Sequence, residues 1–455
     1  MERRRNLGRG HLGYVRLGKL YVLSMVYVSL LHIMYTYIYV KIAPFFVAIS
    51  AFRLHYSGVY THLCVFVLFM LVFSVFLSRQ LKRQSIQDLF LSLLLICYYL
   101  PGLTLYIYGN WNTRYLLFNW LSALLLSIWN ELLCAKKGVE QSRDFSAVER
   151  LPGLLYVFSV FLSLSVIVIV TYYKGFSLHV DLSPDYVYSL RRDARLSAVP
   201  GVFSYYLAYA SYIIPMLFLL NVKKRNLLPS CLLVLSQLNL FTFNGSKHVL
   251  FSLFLTVPFI LFSWRITFKR ILQGYLIFCL LAAGEVWLTD ASRVPLLTAY
   301  TVRRFAFEPA QIGFFHFDFC LQYGYLYYSE SLLRLFVDYP YDISFSNVIA
   351  NYAYGIPDMG ANTGMCAEGF SQIGWLSLLV YPIAYVAVFK IFYIAFGRFQ
   401  GCDSYVPLLP VLLYVSTFMN GALQTVLLTF GLLPLLLTVI ILFTYDGTKR
   451  CGAES

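Results

Sequence analysis

Thr301-Val302-Arg303-Arg304-Phe305-Ala306-Phe307-Glu308-Pro309 lies within residues 289–371, the one long polar interruption in the distal two thirds of an apolar chain. The same stretch carries Arg293, His316, Asp318, Glu330, Asp338, Asp342, Asp358, Asn362 and Glu368. Charges at this density do not dissolve in hydrocarbon, where each costs several kcal/mol. The segments on either side, 271–288 and 372–396, are long, apolar and almost free of charge. A polar stretch between two such segments reads as a large loop between membrane-spanning helices, and most of any chemistry is expected there.

The whole composition agrees. The chain of 455 residues is 60% hydrophobic and 12% charged, where a soluble domain carries about 25% charged residues. The apolar runs are continuous rather than alternating, which selects helices over a membrane barrel. The fold class is therefore an all-α polytopic membrane protein, read as one integral membrane domain over 1–455. The net charge of +14 does not argue for a nucleic-acid partner, because excess Lys and Arg in a multi-span chain records topology. The nine cysteines are scattered, with no CxxC and no Cys/His cluster. Cys320 and Cys366 share the large loop and could pair in an oxidising compartment. No metal and no cofactor is expected.

Spans of about 20 apolar residues are what a bilayer requires. Twelve are expected, near 20–40, 59–78, 89–109, 115–133, 153–173, 200–221, 227–243, 248–264, 271–288, 372–396, 405–420 and 422–443. The piece from Ile42 to Phe52 is apolar but too short to cross, and is expected as a separate interfacial or re-entrant segment. Basic residues crowd alternate connections: Arg3, Arg4, Arg5, Arg9, Arg16 and Lys19; then Arg79, Lys82 and Arg83; then Lys136, Lys137, Arg143 and Arg150; then Lys223, Lys224 and Arg225; then Arg265, Lys269 and Arg270; then Lys390 and Arg398, which end or follow the tenth span; then Lys449 and Arg450. By the positive-inside rule this alternation puts both termini in the cytoplasm. The arginine-rich start runs straight into a full-length span, so no cleaved signal peptide is expected. Two sizeable loops then face outward, 174–199 and 289–371.

Outward arginines oppose that rule, so they need a reason. Loop 174–199 holds Arg191, Arg192, Asp193 and Arg195. The plain reading is a solvated helix with arginine–aspartate pairs. The functional one is phosphate, which guanidinium groups bind bidentately without losing charge. Lys247, in Asn244-Gly245-Ser246-Lys247-His248, opens a helix whose backbone N–H groups favour an anion; a snorkelling lysine at a turn is the simpler alternative. In the large loop, Arg293, Arg303 and Arg304 precede Glu308, His316 and Asp318, with the aromatic run Tyr323 to Tyr328 beyond. This mixture suits a sugar-phosphate ligand. Arginine neutralises pyrophosphate, aromatic faces stack on sugars, and a carboxylate or histidine takes a hydroxyl proton. An amphipathic loop lying on the membrane would explain the tyrosines equally well, but the Arg303–Arg304 pair less so.

The loop ends in Ala361-Asn362-Thr363-Gly364-Met365-Cys366-Ala367-Glu368-Gly369-Phe370-Ser371-Gln372-Ile373-Gly374. This resembles the end-of-loop signature of bacterial O-antigen polymerases of the Wzy type and of the related O-antigen ligases. Arg303-Arg304-Phe305, Tyr339-Pro340-Tyr341 and Gly245-Ser246-Lys247 are similar to that family too. The likeness covers nearly the whole chain in architecture, about a dozen spans and two outer loops with the second much larger, while its motifs are short and degenerate. Ala361 stands where the ligases carry histidine, and no Arg-x10-Gly pattern occurs in either loop, so the base stays unassigned.

The resemblance implies a GT-C-like architecture and a metal-independent glycosyltransferase at the periplasmic face of the bacterial inner membrane. Its substrate would be an undecaprenyl-pyrophosphate-linked oligosaccharide, polymerised into O-antigen or capsular polysaccharide. A chain-length regulator and a flippase would be its partners. Arg191, Arg195, Lys247, Arg293, Arg303 and Arg304 would hold the pyrophosphate. Glu308, His316, Asp318 or Glu368 would orient or deprotonate the acceptor hydroxyl, and Asn362 would fix the loop at the membrane. The connection 41–58 contains no Asp or Glu, where metal-dependent lipid-sugar transferases carry carboxylates, and this favours arginine over a cation. The alternatives are a lipid-linked oligosaccharide flippase, for which related halves and mid-span charges would be expected, and a ligase, which would keep the histidine.

Overall fold

The computed structural model describes residues 2–47, 63–109, 111–133, 146–181, 184–196, 199–262, 265–290, 293–399 and 403–446. In chain order the first helices are α1 (Glu2–Val47), α2 (Leu63–Arg83), α3 (Ile86–Leu94), α4 (Leu100–Gly109) and α5 (Thr113–Leu133), with a π-helical turn, Leu95–Tyr99, joining α3 to α4. A short strand β1 (Ser146–Glu149) leads to α6 (Leu154–Lys174), α7 (Pro184–Leu196), α8 (Gly201–Lys223), α9 (Leu227–Asn244), α10 (Lys247–Leu261) and α11 (Phe268–Leu288). Then come α12 (Leu296–Tyr300), a second π-turn (Arg303–Phe307), α13 (Glu308–Tyr323), α14 (Phe345–Tyr354) and α15 (Met365–Ile373). The chain closes with α16 (Ser377–Phe396), α17 (Leu408–Asn420), α18 (Leu423–Leu427), α19 (Leu432–Leu442) and strand β2 (Phe443–Asp446), which pairs antiparallel with β1.

Ten helical segments among the described residues are long and apolar enough to cross a membrane. This is an all-α multi-pass membrane protein. The segments expected at 248–264 and 405–420 are helices too, but α10 has 15 residues and α17 has 13. At 1.5 Å per residue, α10 is about 22 Å long, short of a hydrocarbon core of about 30 Å.

One expectation is corrected. The separate segment begun at Ile42 is not separate: α1 runs unbroken through Val47, with Pro44 inside it. Ile42 and Ala43 are fully buried, so the apolar run there packs against protein rather than dipping into lipid. Residues 48–52 of that expectation lie outside the described residues.

The chain divides into two compact units. The first comprises Met1–Ala135, Phe268–Lys390 and Val415–Leu423. Its start is locked by a polar cluster at the α2–α3 corner. Ser85 caps α3 through a reciprocal capping box with Asp88, which satisfies two otherwise orphan N–H groups. Arg83 clamps the buried Asp88 carboxylate at 2.6 Å and reaches Glu131 of α5, also at 2.6 Å, while Asn130 Nδ2 donates to Asp88 at 3.1 Å. Further along, Phe90 of α3 stacks on Phe389 of α16 at 4.8 Å.

The second unit comprises Lys136–Thr267, Ile391–Tyr414 and Gln424–Ser455. Here α6, α8 and α10 pack around α9. Glu149 on β1 pairs with Lys224, and Lys223 with Asp403. Gly245 ends α9 in the left-handed region at φ +60, a conformation open to glycine. A Cβ there would also lie 2.8 Å from the Val187 carbonyl, so α7 closes directly over this turn.

Candidate functional site

The described residues of 289–371 are folded, and many of them are buried. Glu285, near the end of α11, starts the arrangement. Its carboxylate accepts from the backbone N–H groups of Leu297 at 2.8 Å and Thr298 at 2.6 Å, and from the Thr298 hydroxyl at 2.7 Å. A carboxylate at a helix N-terminus satisfies orphan donors and favours the dipole, so α12 is fixed to the end of α11. Three residues later the chain enters the π-turn Arg303–Phe307, which packs against the other π-turn, Leu95–Tyr99. Single π-turns concentrate at functional sites.

The π-turn has a direct chemical consequence. Its wider pitch brings residue i to residue i+5, and the Glu308 N–H donates to the Arg303 carbonyl. Their side chains meet as well, in a buried Arg303–Glu308 ion pair in which both residues are only 4% exposed. Arg303 Nε donates to the Ala299 carbonyl at 3.2 Å, and its guanidinium lies 4.1 Å from the centre of the Phe46 ring. Phe46 belongs to the stretch of α1 that the sequence had suggested was separate. Arg304 reaches the second oxygen of Glu308 at 3.2 Å and is 40% exposed at its side chain. Burial holds the Glu308 carboxyl above the ordinary carboxylate range, and the Arg304 and Arg303 guanidinium groups offset only part of that rise. Of the two adjacent arginines, Arg303 is structural and Arg304 presents its charge to solvent.

About two turns along α13, His316 is buried. Its Nε2 donates to the Ala361 carbonyl at 2.8 Å, and its Nδ1 lies 3.1 Å from Ser371 Oγ. Burial lowers its pKa to about 4, so it is neutral near pH 7. With both nitrogens engaged, His316 acts as a clasp joining α13, residue 361 and α15. Ala361 is fixed from its other side by its own N–H, which donates to the Ser346 carbonyl at 2.9 Å. The Gly364 N–H donates to the Met419 carbonyl at 3.1 Å. The end of the large loop is thus anchored through the backbone of its neighbours, while Asn362 itself is exposed. Glu368, in the first turn of α15, is buried and accepts from Gln372 Nε2 at 3.3 Å.

Asp318 has a different setting. Its Oδ2 accepts from the Tyr352 hydroxyl at 2.6 Å and from Gln322 Nε2 at 3.1 Å, at the protein surface. Tyr323 and Tyr352 are exposed beside it, with their ring centres 6.3 Å apart, and Phe319 supports both from below at 4.6 and 5.2 Å. A carboxylate set among exposed aromatic rings can accept a hydroxyl proton and stack a ring-shaped ligand. Nothing in the spacing of residues 318 and 352 signalled this meeting.

The remaining positions belong to other elements. Arg293 is exposed in the turn after α11. Arg191 and Lys247 belong to the second unit, where α7 brings Arg191 against the Gly245 turn: its Cγ is 3.6 Å from where a Gly245 Cβ would stand, two residues before Lys247 opens α10. Arg195 lies in the last turn of α7. Cys320 and Cys366 are both buried free thiols. Among the described residues no group of three or more His, Cys, Asp or Glu converges as a metal site would require. Comparison with models of known families, with curated proteins and with solved structures gives no match to this chain.

Proposed function

We propose that the protein polymerises undecaprenyl-pyrophosphate-linked oligosaccharide repeat units at the outer face of the bacterial inner membrane, with both termini in the cytoplasm. The observation that carries this reading is Arg304. It is a solvent-facing guanidinium held by Glu308, a carboxylate itself fixed by buried Arg303. A preset cation of this kind can stabilise charge that develops on a leaving pyrophosphate without reorganising. In the reaction, the acceptor hydroxyl oxygen bonds to the anomeric carbon of the donor. The bond from that carbon to the pyrophosphate oxygen breaks, and the electron pair leaves with the lipid pyrophosphate. The hydroxyl proton goes to a base near Arg304; Asp318, fourteen residues further along the same helical run and so about 20 Å away in rise, is out of reach for that step and is left to bind a distal part of the sugar chain.

The arrangement across the membrane supports the same reading. Groups that form an ion pair lie on one side, so an even number of crossings separates them. Between Lys223 and Asp403 run α9, α10, α11 and the continuous Met365–Phe396 segment. The count is even only if the short α10 crosses. The contact of Phe46 with Arg303 requires the same of α10. Glu149 joins Lys224, and β1 pairs with β2. A return to the Asp403 side by Phe443 favours a crossing by α17 along with α18–α19. These pairings support the reading of twelve crossings that the charge pattern proposes, with its basic connections cytoplasmic and the loop 289–371 outer. Lys247 at the head of α10 helps a short helix by snorkelling.

The test is Arg304→Ala in cells that depend on this chain for polymer. Surface polysaccharide should shrink to single repeat units while the protein stays in the membrane at normal level. Long chains of ordinary distribution would sink the proposal, as would loss of single units along with polymer, the outcome expected of a flippase.

A further inference from the structure

The most exposed large apolar side chains among the described residues are not on the flanks of the spans. They are Leu335, 88% exposed, and Phe336, 82% exposed, in the turn Leu332–Leu335 and just after it. Leu333 is exposed too, and exposed Arg334 stands between them. This tip is a built turn: Arg334 N donates to Ser331 O at 3.1 Å, Phe336 N to Leu333 O at 2.8 Å, and Val337 N to Leu333 O at 2.9 Å. Two adjacent apolar side chains held out by a hydrogen-bonded turn do not fit open water, which would favour their collapse onto the protein.

Where the tip is tethered identifies what covers it. The segment just before it is pinned to the head of a membrane span. Leu326 N donates to Ser371 O at 2.9 Å, Tyr327 N to Gln372 O at 3.0 Å, and Tyr328 N to Gln372 Oε1 at 2.8 Å. Ser371 and Gln372 directly precede Gly374–Leu376 and α16. Exposed Trp375 and Leu376 lead into the exposed stripe Leu379, Val380 and Ile383 of that span. Trp and Tyr at a span end mark the bilayer interface, and Tyr327 is exposed at the same level. Leu335 is seven positions beyond Tyr328, and the turns between them are hydrogen-bonded, Ser331 N to Tyr328 O at 3.0 Å and Arg334 N to Ser331 O at 3.1 Å, which keeps the tip near the head of α16. A lipid-facing surface thus continues from α16 through Trp375 and Tyr327 to Leu335 and Phe336. Arg334 between the apolar side chains suits a lipid phosphate, with its stem in the apolar layer and its head at the charge.

We propose that the tip 333–336 inserts into the lipid interface beside α16, so that the large loop is held to the membrane at a third point besides α11 and α16. This does not depend on the polymerase reading. The test uses the full chain with its nine native cysteines replaced by alanine, carrying Leu335→Cys and a nitroxide, in vesicles of phosphatidylethanolamine and phosphatidylglycerol. Collisions with oxygen should exceed those with a water-soluble nickel complex several-fold, and the order should reverse at Asp358→Cys, an exposed turn position. Relaxation dominated by nickel at residue 335 would overturn the proposal. So would protection from both reagents, which would mean that a second copy or another protein covers the tip. If the cysteine-free chain does not reconstitute, Phe336→Trp in the native chain gives the same decision. Its added emission should be blue-shifted and quenched by brominated acyl chains, and unquenched emission would refute insertion.

Discussion

Replacing Glu308 by leucine removes a carboxylate that meets both Arg303 and Arg304. Arg303 would keep the Ala299 carbonyl and the Phe46 ring, neither of which neutralises its charge. Removing one member of a buried pair costs about 3–5 kcal/mol, because an uncompensated charge stays behind. Arg303→Met is expected to cost less, roughly 1–3 kcal/mol, since Glu308 would still be neutralised by Arg304 at 3.2 Å. The double variant Arg303→Met/Glu308→Leu should recover most of the loss, since a well-packed apolar pair is often as stable as the buried ion pair it replaces. Arg304→Ala removes a pair that is 40% exposed on one side. After screening, that pair is worth less than about 1 kcal/mol. The assay is unfolding of the reconstituted protein in mixed micelles titrated with dodecyl sulfate, followed by tryptophan fluorescence. If the two single losses simply add in the double variant, the charges are not coupled and the account of Arg303 as a structural group is wrong. A large stability loss in Arg304→Ala would likewise remove the separation between the buried arginine and the presenting one.

Two further outcomes test the frame around this cluster. His316 titrates near 4 in the folded chain and near 6.5 when unfolded. Both states are neutral above about pH 6.5, so the group adds no pH dependence there. As pH falls from about 6.5 to about 4 the unfolded chain binds a proton that the folded chain refuses, and stability drops by at most about 3 kcal/mol. His316→Gln should flatten that part of the stability–pH curve relative to the parent; an unchanged slope would show that the imidazole is not a buried neutral clasp. Gly364→Ala would put a methyl group 2.6 Å from the Gly421 carbonyl oxygen, where the backbone of the 418–421 segment cannot yield as a side chain would. The expected loss is about 1–3 kcal/mol by the same titration, and wild-type stability would mean that the loop end does not close against that segment.

Much of the membrane architecture was legible, because hydrocarbon admits few solutions and a long uncharged run announces itself. The failure at Ile42 shows the limit of run length as a rule. Lys41 appeared to end the first span, yet a helix does not stop where lipid stops, and α1 continues to Val47 because Ile42, Ala43 and Phe46 find protein to pack against. The small β1–β2 ribbon was missed for another reason: its two strands are separated by about two thirds of the chain, and such short strands carry no periodic signal. The Cys320 and Cys366 thiols share a loop in sequence, but each is buried in its own surroundings.

The site shows the same division between local and non-local information. Arg304 and Glu308 are four apart, and their pairing is what any α-helix would give. Arg303 and Glu308 are five apart, and on an α-helix they would diverge by a further 100° or so. Only the π-turn, supported by the partner π-turn at Leu95–Tyr99, makes Glu308 shared between both arginines. That sharing turns two sequence-equivalent arginines into unlike groups, one a buried strut and one an exposed cation. The same holds for the candidate proton acceptors. Glu308 and His316 follow the arginines most closely in sequence, but burial ties one into an ion pair and the other into a clasp. Asp318, two residues further on, faces outward with Tyr352 and Gln322 as its donors. Proximity along the chain pointed to one helix; which of its side chains face outward was decided by the packing of α13 on α4, α5 and α15.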